Sequence, residues 1–214
     1  MTEPKKTIDA GTYKTKTNDC ISSIAFESGF FPETLWDLPE NAELKKKRKN
    51  PNVLQEGDSV HVPEFRKRTF ACQTGKVHKF KLKGVPEKLK LRFLEEGKPR
   101  SGIEYKLEVE GKKFEGKTDK DGAIEHWVPP NSKKGKLTSE ELGNYDLNLG
   151  ALDPKDCESG AKSRLVNLGY LAKFDAEKTD LEEAIRNFQT ANELELSGKF
   201  DEATQDKLVE LHGG

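Results

Sequence analysis

The chain has 214 residues, 33% of them hydrophobic and 35% charged, with a net charge of −1. So small an apolar share excludes one large core and points to several small units with much wet surface. No stretch approaches the ~20 apolar residues of a membrane helix, and Cys20, Cys72 and Cys157 are too scattered for a disulfide framework or a CxxC zinc site, so reduced thiols are expected.

The opening residues, MTEPKKTIDAG, hold no apolar run. Cytoplasmic synthesis without a secretory signal is therefore expected, with any delivery to the periplasm or cell exterior made by an injection apparatus. Tyr13 to Thr15 reads as a short strand, and Asn18 or Asp19 is placed to cap a helix that buries Ile21, Ile24 and Ala25 and stops at Gly29. Cys20 is expected to fill a small apolar position beside Ile24. Pro32 suits the first turn of a second helix carrying Leu35, Trp36 and Leu38. Val60 and Val62 alternate in a closing strand that ends at Pro63.

With NDCISSIA near its start and NPNVLQEGDSVHVP at its end, this βααβ order resembles a LysM glycan-binding module over residues 12–64. The resemblance implies binding of N-acetylglucosamine-containing polymers such as peptidoglycan. It places the ligand groove between Thr17, Asn18, Asp19, Cys20 and Ile21 on one side and Pro51, Asn52, Val53 and Leu54 on the other. The run ENAELKKKRKN lengthens the connection to the last strand. Its Lys45–Lys49 cluster reads as cations at a helix end, where they complement the dipole, so no nucleic-acid partner is expected.

From residue 76 the period changes to two. Leu89, Leu91 and Phe93 alternate, as do Ile103, Tyr105, Leu107 and Val109, then Ile124, His126 and Val128, then Tyr145, Leu147 and Leu149. Gly111 and Asp121-Gly122 are turn residues, and Asp119 with Asp121 lacks the further ligands of a calcium loop. Six or seven such strands predict an antiparallel β-sandwich. The run GKPRSGIEYKLEVEGKKFEGKTDKDGAIEHWVPP resembles the transthyretin-like or carboxypeptidase-regulatory-like sandwich. That resemblance implies a spacer or a protein-docking surface of the kind that extends type VI secretion spikes.

Three short amphipathic helices follow. Ser159 is placed as the first N-cap, with Ala161, Leu165 and Leu168 on one stripe and Gly169 as the terminator. Thr179 and Glu182 form a capping-box pattern ahead of Leu181, Ile185 and Phe188. Asp201 opens the third, with Ala203, Leu208 and Leu211 expected inside. The runs RLVNLGYL, AIRNFQTANEL and SGKFDEATQDKL resemble the three-helix peptidoglycan-binding domain that accompanies bacterial cell-wall enzymes. The resemblance implies a ligand site at Leu168, Gly169, Tyr170, Phe188 and Gln189.

Basic and acidic side chains number 9 and 11 over residues 1–65, 20 and 13 over 66–149, and 8 and 14 over 150–214. The middle is thus +7 and the C-terminal part −6. The four histidines make no HxxxH or HExxH pair, and there is no GxSxG motif or phosphate-cradling glycine loop. Cys20 at a helix start is the only nucleophile candidate, and a structural thiol is the simpler reading, so no enzyme activity, cofactor or metal is expected.

The expectation is a multidomain α+β chain: a LysM-like unit over 1–65, a β-sandwich over 66–149 and a three-helix bundle over 150–214. Its function is expected to be non-catalytic binding of bacterial peptidoglycan or a related glycan by two linked modules. The alternative is an accessory, adaptor or cargo-linked component of a type VI secretion or phage-tail-like apparatus, whose partners are spike or effector proteins.

Overall fold

The computed structural model describes residues 7–66, 71–79, 87–95, 97–174 and 177–212. The chain is mixed α+β, with antiparallel sheets and helices gathered round three separate hydrophobic clusters.

The N-terminal cluster is enclosed by two strands and three helices. Strand β1 (Gly11–Lys14) pairs antiparallel with β2 (Ser59–Val62), in register from Gly11 opposite Val62 to Lys14 opposite Ser59. Helix α1 (Ile21–Ser28) buries Ile21, Ile24 and Ala25 and ends at Gly29, which takes a left-handed φ of 81°. Its cap is Cys20 rather than Asn18 or Asp19. The Cys20 thiol accepts from Ser23 N, and Ser23 Oγ accepts from Cys20 N. Asp19 is drawn away from the helix because its carboxylate accepts from Lys16 N and Tyr13 Oη.

Helix α2 (Pro32–Trp36) begins at the proline, as expected. The lengthened connection after it is not a loop: Pro39–Asn41 forms a 3-10 turn and Ala42–Arg48 a third helix, α3. Asn41, 1% exposed, ties that turn to β2, its amide donating to Leu35 O and His61 O and accepting from His61 N. Of the basic run, Lys45, Lys46 and Lys47 face solvent at the helix end, but the Arg48 side chain turns inward and is 1% exposed. It meets Asp58 at 2.6 and 3.0 Å. Burial alone would raise the Asp58 carboxyl. The Arg48 hydrogen bonds and the Gln55 N–H outweigh it and hold Asp58 below the usual carboxylate range.

The middle region is all β, with eight strands among the described residues. Strand β3 (Glu87–Arg92) pairs with β8 (Ala123–Val128), and the short β4 (Leu94–Glu95) and β5 (Lys98–Pro99) make a hairpin. Strands β6 (Glu104–Val109), β7 (Lys112–Lys117), β9 (Lys134–Ser139) and β10 (Gly143–Asn148) form a four-stranded sheet in the order β10-β9-β6-β7. Tyr105, Leu107, Val109 and Leu137 from this sheet share a core with Ile124 and Val128 of β8, and Leu89, Leu91 and Phe93 pack against it. The period-two reading of these strands therefore holds. His126 reaches between the layers, 2.8 Å from Tyr105 Oη and stacked on Phe114 at 4.4 Å, and burial pushes its pKa down.

The C-terminal cluster is formed by α4 (Glu158–Asn167), α5 (Lys178–Ala191) and α6 (Glu202–His212). Leu181, Ala184, Ile185, Phe188 and Gln189 give α5 one continuous buried stripe at helical spacing. Its start differs from expectation. Glu177 is the N-cap, so Thr179 and Glu182 fall one and four residues inside the helix and form no capping box. Likewise α4 is capped at Cys157, which puts Ser159 inside the first turn. Gly160 explains the earlier start: a Cβ there would lie 2.1 Å from Pro154 O, so only a bare backbone lets the linker fold against the helix. Arg164, 1% exposed, fastens the same junction by donating to Asp153 O and Gly160 O, both at 2.9 Å.

Asp201 does cap α6, accepting from Thr204 N at 2.9 Å and Thr204 Oγ1 at 2.7 Å. That cap turns Thr204 inward above Leu208, whereas Ala203 is exposed and Leu211 is 40% exposed. The inner stripe of α6 is thus displaced by one residue at its start. No helix among the described residues is long and apolar enough to cross a membrane.

Candidate functional site

Two surfaces contain the residues singled out in the sequence. The first is built where α4 ends. Leu168 is half-buried at the C-cap, and Gly169 follows it, exposed, with a φ of 81° and its N–H on Val166 O. The left-handed turn sends Tyr170 and Leu171 back, and both their N–H groups reach Leu165 O. Tyr170 is half-buried and sets its ring edge-on to Phe188, with centroids 5.2 Å apart and planes at 84°.

Phe188 lies beneath this turn rather than on it, and Gln189 is equally buried, each 0% exposed. The Gln189 amide nitrogen donates to Ser197 Oγ (2.9 Å), Lys199 O (3.2 Å) and Thr204 Oγ1 (2.9 Å), and its oxygen accepts from Gly198 N at 3.0 Å. One buried amide therefore pins the 197–204 segment to α5. Of the five residues, Leu168, Gly169 and Tyr170 are accessible, Phe188 supports the Tyr170 ring from below, and Gln189 supports the 197–204 segment. Asp201 was read in the sequence only as a helix cap, and Ser197 and Thr204, which complete the Gln189 network, were not singled out there. The small polar spacing Ser-Gly-x-x-Asp-x-x-Thr at 197–204 is the signal for it.

The second surface lies at the start of α1. The two chain segments expected to face each other do meet, through Ile21 N donating to Pro51 O at 2.9 Å. Ser22 Oγ reaches Asn52 Oδ1 at 3.3 Å. Thr17 is exposed and donates to Glu56 at 2.6 Å, and Asn52 is exposed too. Cys20, Ile21, Val53 and Leu54 are buried at 8%, 0%, 6% and 5% and belong to the interior. Asn18 takes a positive φ of 65°, which turns its carbonyl outward.

That carbonyl is engaged by the middle region. Lys133 Nζ lies 2.5 Å from Asn18 O and 3.3 Å from Asp19 Oδ1, and Ser22 Oγ donates to Glu87 Oε2 at 2.6 Å. Gly150, at φ 71°, passes so close that a Cβ would sit 3.2 Å from Asn18 O. The face of the N-terminal unit carrying Asn18, Asp19 and Ser22 is thereby joined to the β region. Tyr13 is held in its neutral form there, by burial first and then by its hydrogen bond to the Asp19 carboxylate. Among the described residues no group of three or more His, Cys, Asp or Glu side chains is arranged to hold a metal ion.

Residues 160–208 match the family model described as "Putative peptidoglycan binding domain". The matched stretch runs from the first turn of α4 into α6 and contains Leu168, Gly169, Tyr170, Phe188 and Gln189. It supports a peptidoglycan-binding helical domain at this end of the chain. No curated protein and no solved structure matches the chain.

Proposed function

We propose that this is a non-catalytic protein that binds bacterial peptidoglycan through its C-terminal bundle, with the α1-start surface as a second, weaker glycan contact. The family match over residues 160–208 carries the reading. It is supported by the half-buried Tyr170 beside the exposed Gly169, an aromatic face next to accessible backbone, which suits a sugar ring. At the second surface Thr17 and Asn52 are the exposed polar groups left for a glycan, since Lys133 already engages Asn18 and Asp19. Two weak sites on one chain gain from raised effective concentration.

Co-sedimentation with insoluble peptidoglycan tests this. The full chain is expected in the pellet, with Tyr170→Ala weakening retention about tenfold, the loss of one good aromatic contact. No enrichment over a protein of similar size and charge would sink the proposal, and release of soluble muropeptides would overturn its non-catalytic part.

A second reading is favoured by charge. Residues 150–214 carry 14 acidic and 8 basic side chains, which opposes an anionic polymer. On that reading the modules bind proteins of a type VI secretion or phage-tail-like apparatus. Capture of a defined spike or effector protein, with no retention on peptidoglycan, would favour it.

A further inference from the structure

If the bundle binds the wall, its own charge works against it, and the attraction has to come from elsewhere in the chain. The outer face of the β3–β8 pair is the place where it can arise. Strand β3 alternates, so Leu89 and Leu91 turn to the core while Lys88, Lys90 and Arg92 are exposed on the opposite face. Consecutive members of that row are about 7 Å apart along the strand. In register on β8, Trp127 stands opposite Lys88 and Glu125 opposite Lys90. Trp127 is 59% exposed, and the Lys88 ammonium lies 5.3 Å from its ring centroid.

The charges on this face do not cancel. Glu125 is shared by Lys88 at 2.6 Å and Lys90 at 3.1 Å, and Arg92 Nε donates to the neutral carbonyl of Asp121. Among the described residues three cations on this face therefore have one carboxylate in an ion pair with them. The β6–β7 pair of the four-stranded sheet shows a contrasting pattern: Lys106 pairs with Glu115, Lys113 with Glu108 and Lys117 with Glu104, three cations with three separate carboxylates. An exposed indole beside an excess of cations suits a ligand with both a C–H sugar face and carboxylates. Peptidoglycan has that chemistry in its glycan rings and stem-peptide carboxylates.

We infer that the outer face of β3–β8, centred on Trp127, Lys88, Lys90 and Arg92, is a further binding site for the carboxylate-bearing glycan of the wall. It rests on the wall-binding reading above. The middle region is then an electrostatic tether: the basic sheet draws in the polymer, and the acidic bundle adds a specific contact.

The test uses the full chain and two readouts. In co-sedimentation with peptidoglycan, Lys88→Gln/Lys90→Gln/Arg92→Gln is expected to bind about tenfold more weakly at roughly 50 mM salt and to converge on the wild type near 1 M, where screening removes the difference. Wild-type binding by these face variants, alongside loss in Tyr170→Ala, would overturn the inference and leave the wall reading standing. The second readout does not need the bundle. The chain has two tryptophans, and the other, Trp36, is 9% exposed and serves as an internal control.

Titration with soluble disaccharide-peptide muropeptides is expected to shift the Trp127 indole N–H resonance and leave that of Trp36 in place. Muropeptides with amidated carboxylates are expected to shift it several-fold less. No Trp127 shift at millimolar muropeptide refutes the site even if sedimentation succeeds. A shift with a glutamate-rich peptide but none with muropeptide would make the face a protein-docking surface and overturn the glycan assignment.

Discussion

Replacing Gln189 by leucine separates the two roles this residue can have. If its amide contacts ligand, the variant folds normally and loses wall binding. The structure places the amide inside, 0% exposed, as the shared partner of Gly198 N, Lys199 O, Ser197 Oγ and Thr204 Oγ1. Leucine is of similar volume, so no large cavity opens and the cost is polar. Ser197 and Thr204 keep a partner in Asp201, at 2.6 and 2.7 Å, and lose little. Gly198, buried, is left with an unpaired N–H, whereas the carbonyl of exposed Lys199 keeps Ser197 Oγ as a donor at 3.4 Å. A buried polar group without a partner costs about 1–3 kcal/mol, so the 197–204 segment is expected to be destabilised by about that much. At about 1.4 kcal/mol per decade, that is roughly a five- to hundred-and-fifty-fold rise in the segment's amide exchange. Native-state hydrogen exchange read by mass spectrometry measures it. Unchanged protection of 197–204 together with lost wall binding would refute the structural role.

His126 gives a pH dependence. Burial holds its folded pKa below the usual ~6.5. In the window between that lowered value and about 6.5 the unfolded chain binds the extra proton, so stability is full above about pH 6.5 and falls as the pH is lowered through the window. Urea midpoints between pH 8 and 5 should decline in the wild type and less in His126→Gln, and an NMR titration placing His126 above 6.5 would refute the assignment. Asp58→Ala strips the buried Arg48 of its nearer carboxylate, leaving Asp156 at 3.6 Å, and is expected to cost up to about 3–5 kcal/mol, measured by urea denaturation. A loss under about 1 kcal/mol would mean that Asp156 or water compensates the Arg48 charge. Lys133→Ala combined with Glu87→Ala removes side chains that fasten the β region to the α1 start. Small-angle scattering should then show a larger radius of gyration, and an unchanged profile would mean that the contact around Gly150 suffices.

Much of the local structure was legible in the sequence because it follows from backbone period. The alternation of Ile103, Tyr105, Leu107 and Val109 has one physical solution, a strand with one face buried, and the protein adopts it. The same holds for Leu181, Ile185 and Phe188 on α5 and for the stop at Gly29. Helix starts were less legible. Ser159 and Thr179 have the right side chains for caps, yet the backbone enters those helices at Cys157 and Glu177. Entry angle depends on what the preceding loop packs against, here Pro154 folded onto Gly160.

The candidate site divides along the same line. The resemblance to the peptidoglycan-binding family singled out Leu168–Tyr170 and the α5 residues Phe188 and Gln189 as candidates, and the family match covers all of them because its pattern is carried by residues close in sequence. Which of those residues a ligand can touch is a matter of burial, and only packing put Phe188 and Gln189 beneath the surface. Charge shows the limit most clearly. The sequence determined that residues 66–149 are basic and 150–214 acidic. It could not say that Arg48 turns from a solvated run to pair inside with Asp58, that Lys133 spans 115 positions to reach Asn18, or that Lys88 and Lys90 of β3 share one carboxylate beside Trp127. Periodicity belongs to the backbone and is written locally, whereas the partner of a charge is whatever the fold brings within a few ångströms of it.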